Sequence, residues 1–430
     1  RQPGRVNQMS TKKGQQLALD DLDLSRFIRA GDTIVWGQSA AEPLALMQAY
    51  VAQRHRFART RVFLGIGGSN TLQPAHADAI DMIGYAAGGS HRALGMAGVL
   101  DPVPCHYSQI PVLIANKRLP IDVVFVQVSP PNAAGDCSLG LANDYLQQAM
   151  RAARCVIAEV NADVPFTHGA SLRLADVDAW VHSDQPVVDV PTGKTGDAEA
   201  AIAQHIASRI PNGATLQLGI GNLPDAVLQA LHNHRDLGIH SGTVGDRVVD
   251  LVEAGVITNA HKSIDTGISV TGLLMGSERT RRWAHHNPAL RVAGTDYTHN
   301  PRVLAQVNKL AAINAAIEVD LTGQVNAEVV AGKYVGAVGG AMDFLCAAAI
   351  SEGGLPIVAL PATARGQSRI VAQLSGPVST PRADAGLIVT EHGVADLRGL
   401  SLRQRVYAML AIAAPEHREI LAANARPLLQ

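Results

Sequence analysis

Short apolar runs alternate along most of the chain with glycine-containing turns and with segments of helical periodicity. The runs at 121–129 and 155–160 are apolar at nearly every position, which is typical of strands that are covered on both faces. Strands that alternate with helices predict a largely parallel sheet flanked by helices. The pattern therefore predicts an α/β protein built from open, mostly parallel sheets.

One strand, turn and helix pattern occurs twice. Residues 213–224 contain an apolar strand followed by Gly219, Gly221 and Pro224. Residues 31–43 contain a similar strand, with Gly37 at the position that matches Gly219. This match predicts an internal duplication with two similar halves. A chance match of two unrelated strand–helix units is the alternative.

The duplication also predicts where the domains begin and end. Residues 186–198 contain prolines and glycines and show no periodicity, which is typical of a linker. We therefore predict a flexible lead-in at 1–20, an N-terminal domain at 21–185, the linker at 186–198 and a C-terminal domain at 199–430.

Composition narrows the function classes. The chain has 430 residues, of which 47% are hydrophobic, and a formal net charge of -1. A near-neutral chain lacks the basic excess that is typical of nucleic-acid and acidic-membrane binders. The four cysteines form no Cys-x-x-Cys pair, which favours a reducing, cytoplasmic setting over a disulfide framework. No run of 18 apolar residues predicts a transmembrane helix.

The turn that contains Gly219 and Gly221 is a candidate ligand-binding site. Without Cβ atoms these residues let a ligand approach the main chain closely. The free N–H groups at the start of the following helix suit an anion or a developing oxyanion. A tight turn that binds nothing is the alternative interpretation.

Six longer motifs follow one another along the chain, one in the first half and five in the second. They lie at 126–132, 216–221, 252–259, 319–326, 338–344 and 389–398. With these motifs the chain resembles the acetyl-CoA hydrolase/transferase family, which includes 4-hydroxybutyrate and butyrate:acetate CoA-transferases. The resemblance covers nearly everything from Gly31 to Leu421.

The resemblance implies two tandem CoA-transferase-fold domains with the active site between them. It implies that CoA moves from a thioester to a free carboxylate through a glutamate that forms covalent intermediates. It also implies the residues that contact CoA. These are Gln217, Leu218, Gly219, Ile220 and Gly221 in the turn, the backbone of Ile317, and Gly339 and Gly340 in a second glycine loop.

One position departs from the family pattern. Gly242 stands where the family keeps its catalytic glutamate, and glycine has no side chain that could form an anhydride. Another carboxylate could replace it: Glu42 is the first hypothesis, Glu391 the second and Asp246 the third. Glu42 and Glu391 could instead be structural, and Asp246 could cap the helix that follows it. His240 could activate a water, or it could be a packed histidine at a strand end.

Four activities remain open at this point: transfer through a substitute carboxylate, transfer through a ternary complex, hydrolysis of an acyl-CoA, and binding of CoA esters without turnover. We predict CoA transfer between a small acyl-CoA, such as acetyl- or succinyl-CoA, and a small carboxylate such as acetate, 4-hydroxybutyrate or a dicarboxylate. We expect no metal and no permanently bound cofactor, since no histidine pair has ligand-type neighbours at metal spacing. A homodimer or higher homo-oligomer is expected from the resemblance.

Overall fold

The computed structural model describes residues 12–430, and its first half is built on a large sheet. The strands of this half are β1 (Gln15–Leu17), β2 (Thr33–Trp36), β3 (Thr60–Leu64), β4 (Ile80–Gly84), β5 (Leu100–Pro102), β6 (Val123–Val128), β7 (Asp136–Ser138), β8 (Cys155–Asn161), β9 (His168–Gly169), β10 (Ser171–Arg173) and β11 (Ala179–Ser183). Its helices are α1 (Leu44–Gln53), α2 (Arg92–Met96), α3 (Ile110–Ala115) and α4 (Leu146–Ala152).

The second half is built on another large sheet. Its helices are α5 (Asp197–Ala207), α6 (Asn222–Ala230), α7 (Asp246–Glu253), α8 (Glu278–Ala284), α9 (Thr295–Thr298), α10 (Pro301–Leu304), α11 (Ala341–Ile350), α12 (Leu402–Ile412) and α13 (Arg418–Asn424). Its strands are β12 (Thr215–Gln217), β13 (Gly238–Val244), β14 (Ser269–Leu274), β15 (Leu290–Val292), β16 (Leu310–Ala315), β17 (Glu318–Asp320), β18 (Val325–Asn326), β19 (Val329–Val330), β20 (Lys333–Tyr334), β21 (Leu355–Ala359), β22 (Thr363–Ala364), β23 (Gln367–Ser368), β24 (Ile370–Val371), β25 (Leu387–Thr390) and β26 (Gly393–Asp396).

The two sheets place equivalent strands in the same order. The first runs β1-β11-β8-β6-β2-β3-β4-β5 and the second runs β26-β25-β21-β16-β12-β13-β14-β15-β9. Neighbouring strands are parallel throughout both, except that β26 is antiparallel to β25. The α/β architecture of two similar parallel sheets is confirmed.

The strand register identifies equivalent positions in the two halves. Thr33 of β2 pairs with Arg61, and Thr215 of β12 pairs with Gly238. Gly65 lies four residues after Arg61, and Gly242 lies four residues after Gly238. Gly65 and Gly242 are therefore at equivalent positions. The residue at the expected nucleophile position therefore has a structural counterpart in the other half.

The halves are joined by backbone contacts. Strand β9 belongs to the first half of the chain but pairs with β15 of the second sheet. The N–H of Tyr107 donates to the carbonyl of Gly339 at 2.9 Å, and the N–H of Ala87 donates to the carbonyl of Gly336 at 3.0 Å. These bonds fix the glycine loop at 336–340 against the first half.

The structure differs from the predicted lead-in at its C-terminal end. Gln15–Leu17 form β1 and pair with Ala179–Val181 at the edge of the first sheet, because the open edge of β11 provides backbone partners. Residues 1–11 lie outside the described part of the chain. Within the predicted linker, the N–H of Gly193 donates to Asp225 at 2.5 Å and that of Lys194 to Asn222 at 3.0 Å.

Within residues 12–430, no helix has both the length and the apolar composition that crossing a membrane requires.

Candidate active site

A cavity of about 320 Å³ lies between the two halves. Such a site at the carboxyl ends of parallel strands is where ligands of open α/β sheets bind. The residues that line it come from nine separate stretches of chain. They are Ile66; Tyr85, Ala86 and Gly88; Tyr107; Gln217, Leu218 and Gly219; Gly242, Thr243 and Leu273; His299 and Asn314; and Gly336, Ala337, Gly339, Gly340, Ala341 and Phe344.

The first glycine turn forms one wall of this cavity. The side-chain amides of Gln217 and Asn314 bond each other reciprocally, at 3.1 and 3.3 Å, across strands β12 and β16. A Cβ on Gly219 would meet no atom closer than 4.0 Å, and one on Gly221 would meet none within 4 Å. The N–H groups of residues 219–221 donate to no acceptor within residues 12–430. This turn is therefore open to a ligand along its main chain.

The second glycine loop forms the opposite wall. Gly339 has a φ of +57°, a conformation that side chains other than glycine adopt with strain. Gly340 directly precedes helix α11, and in the described chain the N–H groups of Gly340 and Ala341 have no protein acceptor. Unpaired N–H groups at a helix start attract negative charge. The starts of α6 and α11 thus both offer donors at one cavity.

Gly242 and His299 meet in the same wall. A Cβ placed on Gly242 would lie 3.1 Å from Cε1 and 3.3 Å from Nε2 of His299. A Cβ on Gly340 would lie 2.6 Å from the same Nε2. The imidazole is also packed against Tyr107 and Phe344, with ring centroids 4.7 and 4.8 Å away. The histidine ring therefore stands beside two glycines: a side chain on Gly340 would displace it, and one on Gly242 would press against it.

His299 is a neutral group in this wall. Its burial, with a smaller contribution from His240, lowers the pKa of His299 to about 3. Nδ1 bonds the hydroxyl of Thr298 at 2.7 Å. Nε2 has no hydrogen-bond partner within residues 12–430, although only 3% of the residue is exposed. The nitrogen is not among the fully buried unpartnered atoms of the described chain, so it lies at the cavity surface, where a ligand or a water can bond it.

Behind the wall lies a buried polar network centred on Gln38. Its amide nitrogen donates to the hydroxyl of Tyr107 at 3.0 Å and to the carboxylate of Asp144 at 2.9 Å. Its amide oxygen accepts from the hydroxyl of Tyr85 and from the N–H of Ile66. Burial raises the pKa of Asp144 to about 6. The network fixes the two tyrosines that face the cavity.

Glu42 does not line the cavity. Its two carboxylate oxygens accept the N–H groups of Gly68 at 2.6 Å and Ser69 at 2.9 Å. Burial raises the pKa of this carboxyl group, and only 1% of the residue is exposed. Both oxygens are engaged by the backbone of the first half's own glycine turn.

The other two predicted catalytic residues also lie outside the cavity lining. One oxygen of Glu391 accepts the N–H of Ala362 at 2.8 Å. His240 is fully buried, its Nε2 bonds the carbonyl of Thr298 at 2.9 Å, and burial lowers its pKa to about 4.

The predicted CoA-contacting residues divide into two groups. Gln217, Leu218, Gly219, Gly339 and Gly340 line the same cavity. The remaining three do not: Ile220 lines an adjoining hollow, Gly221 lies in the turn beyond the lining, and Ile317 lines a separate hollow near Arg369. The N–H of Ile317 is already bonded to the carbonyl of Asn326 at 2.9 Å.

Sequence reasoning missed His299, Asn314 and Tyr107. None of them lies in a glycine turn or in a motif with catalytic spacing. The two glycines at 242 and 340 were a usable signal, because a bulky neighbour can occupy the space of a missing side chain. Which neighbour does so is a matter of tertiary contact.

Comparison with known domain families places this arrangement in a class. The acetyl-CoA hydrolase/transferase N-terminal domain matches residues 16–191, and the corresponding C-terminal domain matches residues 276–425. The 4-hydroxybutyrate coenzyme A transferase of Clostridium kluyveri is 38% identical over 395 residues, which are 90% of this chain and 92% of that protein. The chain belongs to the acetyl-CoA hydrolase/transferase family.

Solved structures agree with this assignment. RipA from Yersinia pestis has a TM-score of 0.90 at 32% identity, with 96% of this chain and 98% of that chain covered. The 4-hydroxybutyrate CoA-transferase from Porphyromonas gingivalis has a TM-score of 0.81 at 34% identity, with the same coverage. Relatives named CoA-transferases are 31–38% identical over most of the chain, and those named acetyl-CoA hydrolases are more distant.

Proposed function

We propose that this protein transfers CoA between a small acyl-CoA, such as acetyl- or succinyl-CoA, and a small carboxylic acid. The observation that carries the proposal is the convergence at the cavity. Gln217, Leu218 and Gly219 come from one turn, and Gly339 and Gly340 come from a loop far along the chain, yet they line one hollow with Gly242. Family membership supports the same chemistry.

The unpaired N–H groups support a role for the cavity in thioester chemistry. Attack on a thioester places negative charge on its carbonyl oxygen, and fixed backbone donors stabilise that charge. Gly219 in the turn before α6, and Gly340 and Ala341 at the start of α11, line the cavity and offer such donors. Both helices are fixed by their packing, so the donors need little reorganisation during the reaction.

The size and polarity of the cavity support a preference for short monocarboxylates. About 320 Å³ is at the small end of the range for ligand sites. Ile66, Leu273 and Phe344 contribute apolar surface, and no Asp, Glu, Lys or Arg occurs among the lining residues of the described chain. A second carboxylate on the acyl group would lose hydration there without gaining a counter-charge. Of the two proposed donors, acetyl-CoA is therefore expected to be better than succinyl-CoA, and butyrate is expected to be a better acceptor than succinate.

Transfer through a ternary complex fits the placement of the carboxylates. Glu42 and Glu391 are bonded to backbone N–H groups outside the lining. If the protein has no nucleophile in the cavity, the acceptor carboxylate itself must attack the bound thioester. Borohydride treatment during turnover tests this, because it reduces and marks any carboxylate that carries an acyl or CoA group. A marked glutamate would contradict the ternary complex.

The test of the activity is a two-product assay. The protein is incubated with acetyl-CoA or succinyl-CoA, with and without acetate, butyrate, 4-hydroxybutyrate and itaconate, while free thiol and new thioesters are followed separately. Transfer yields a new thioester without free thiol. Free thiol alone would indicate hydrolysis, and neither product with measurable CoA-ester binding would indicate a binding protein; either result would contradict the proposal.

The proposal also includes a cellular location and an oligomeric state. A cytoplasmic location is supported by the four cysteines, which are all free thiols. A homodimer or higher homo-oligomer is supported only by resemblance to the family. Light scattering after size-exclusion chromatography tests the assembly directly.

A further inference from the structure

The space beside Gly242 is the least explained part of the cavity. It contains no side chain of its own, and the nearest polar atom to a Cβ built there is Nε2 of His299, at 3.3 Å. That nitrogen has no partner within residues 12–430 and lies in a residue that is only 3% exposed. A ligand atom beside Gly242 would come within hydrogen-bonding reach of this nitrogen.

The imidazole is held in a single orientation. Tyr107 and Phe344 pack against it, and a Cβ built on Gly340 would lie 2.6 Å from its Nε2 and 2.8 Å from its Cδ2. Nδ1 bonds only the hydroxyl of Thr298, which has no other partner in the described chain. When that hydroxyl donates to Nδ1, the ring proton is on Nε2. Nε2 then faces the cavity as a neutral, oriented donor.

On the basis of the proposed CoA transfer, we propose that His299 is a catalytic residue that binds the acceptor carboxylate beside Gly242 through its Nε2–H. One carboxylate oxygen accepts this hydrogen bond, and the other stays free to attack. The missing side chain at position 242 provides the room for the carboxylate. The ring remains neutral because it is buried, so it needs no counter-ion when the site is empty.

The reaction then balances with the two substrates alone. The free acceptor oxygen forms a bond to the thioester carbonyl carbon, the C–S bond breaks, and CoA leaves as a thiolate. The products at this point are a mixed anhydride and the thiolate. The thiolate attacks the carbonyl carbon of the acceptor, the C–O bond of the anhydride breaks, and the donor leaves as a carboxylate. No proton or electron is gained or lost.

Direct binding separates this role from a structural one. The protein is saturated with CoA, which has no acyl group to transfer, and titrated with butyrate in a calorimeter. A hydrogen bond to a charged group predicts that His299→Phe weakens butyrate binding about tenfold or more, because the ring shape stays and the donor is lost. His299→Gln, whose amide provides a donor, is expected to restore most of the affinity.

Two further variants complete the design. Thr298→Val keeps the shape of a fully buried side chain but removes the hydroxyl, and it should weaken butyrate binding less than His299→Phe while Thr298→Ser recovers it. His91→Gln is the matched control, because His91 is also buried and bonds a turn carbonyl, at Gly65, but does not line this cavity. It should leave the butyrate affinity within about twofold.

The outcomes are distinct. Equal butyrate affinity in the wild type and in His299→Phe, with both folded, would overturn the role of His299, as would the absence of butyrate binding to the wild type. Butyrate binding that depends on His299 supports the inference even when the wild type forms no new thioester. Butyrate binding without any new thioester would contradict the proposed transfer activity and leave the role of His299 in binding intact.

Discussion

The glycine turns of the two halves occupy equivalent places and have opposite surroundings. In the first half the turns are closed by the protein itself: a Cβ on Gly37 would lie 2.5 Å from the carbonyl of Ala41, and one on Gly65 would overlap the Gln38 amide. In the second half, Gly219 is open and Gly242 meets only His299. Equivalent glycines therefore serve packing in one half and a cavity in the other.

The backbone N–H groups differ in the same way. Those of Gly68 and Ser69 donate to the carboxylate of Glu42, and that of Gly67 donates to the carbonyl of Gly88 at 3.1 Å. In the turn after β2, which corresponds to residues 219–221, the N–H of Ser39 donates to the carbonyl of Ile66 at 2.9 Å, whereas the N–H groups of residues 219–221 have no acceptor in the described chain. Glu42 acts in the first half as an internal anion for the turn after β3.

The largest expected effect concerns this internal anion. Glu42→Ala leaves two N–H groups of a buried turn without an acceptor, which should lower the free energy of unfolding by about 3 kcal/mol. Urea denaturation of the variant measures the loss. If Glu42 is structural, the folded variant retains CoA transfer per folded molecule. Loss of turnover in a variant of unchanged stability would reverse the comparison and make Glu42 the nucleophile.

A matched pair of glycine substitutions gives the next effect. Gly37→Ala forces a Cβ against the Ala41 carbonyl and should cost about 2 kcal/mol of unfolding free energy, as overpacking does. Gly219→Ala has room for its Cβ and should leave the melting temperature unchanged. It should instead raise the KM for acyl-CoA, because the new methyl group stands where a ligand approaches the backbone. Equal destabilisation in both variants would remove the distinction between the two turns.

The smallest effect is a change in the pH dependence of stability. Burial holds the pKa of His299 at about 3 and that of His240 at about 4, against 6.5 for a free histidine. The unfolded chain therefore binds more protons below pH 6.5, so these groups stabilise the fold above that pH and lose their contribution as the pH falls. Each contributes a slope of about 1.4 kcal/mol per pH unit.

The variant His299→Phe isolates one of these slopes. Asp144 opposes them, because its raised pKa favours the folded state as the pH falls through about 6. Its contribution is the same in both proteins and cancels when the variant is compared with the wild type. Urea midpoints at pH 7 and pH 5 should show a shallower fall in the variant. An identical fall would mean that His299 is not held neutral.

Most of the fold could be predicted from the sequence, because the apolar runs and glycine turns that define its strands and helices are local features. The continuous apolar strands at 121–129 and 155–160 form β6 and β8, and the glycine turn after β12 leads into α6 as expected. The edge strand β1 was missed, since Gln15–Leu17 form a strand only through pairing with β11. Short polar edge strands have no hydrophobic run that would predict them.

The site was accessible only in part. Gln217, Gly219, Gly339 and Gly340 lie in motifs and do converge on one cavity. The role of the carboxylates was harder to predict from the sequence. A glutamate beside a glycine turn has the same sequence pattern whether it faces a cavity or accepts hydrogen bonds from the turn. Glu42 supports the turn, and only the position of Gly68 and Ser69 decides this.

The sequence by itself determined the α/β class, the two similar halves, the family and the absence of a side chain at Gly242. These depend on periodicity and on residue types at fixed spacing, both of which are local. The tertiary structure decided which glycine turn is open and that His299 stands beside Gly242. A glycine permits close approach from any direction, but the atom that approaches comes from a distant part of the chain. Tertiary packing decides that the Gln38 amide lies against Gly65 and that the His299 imidazole lies beside Gly242.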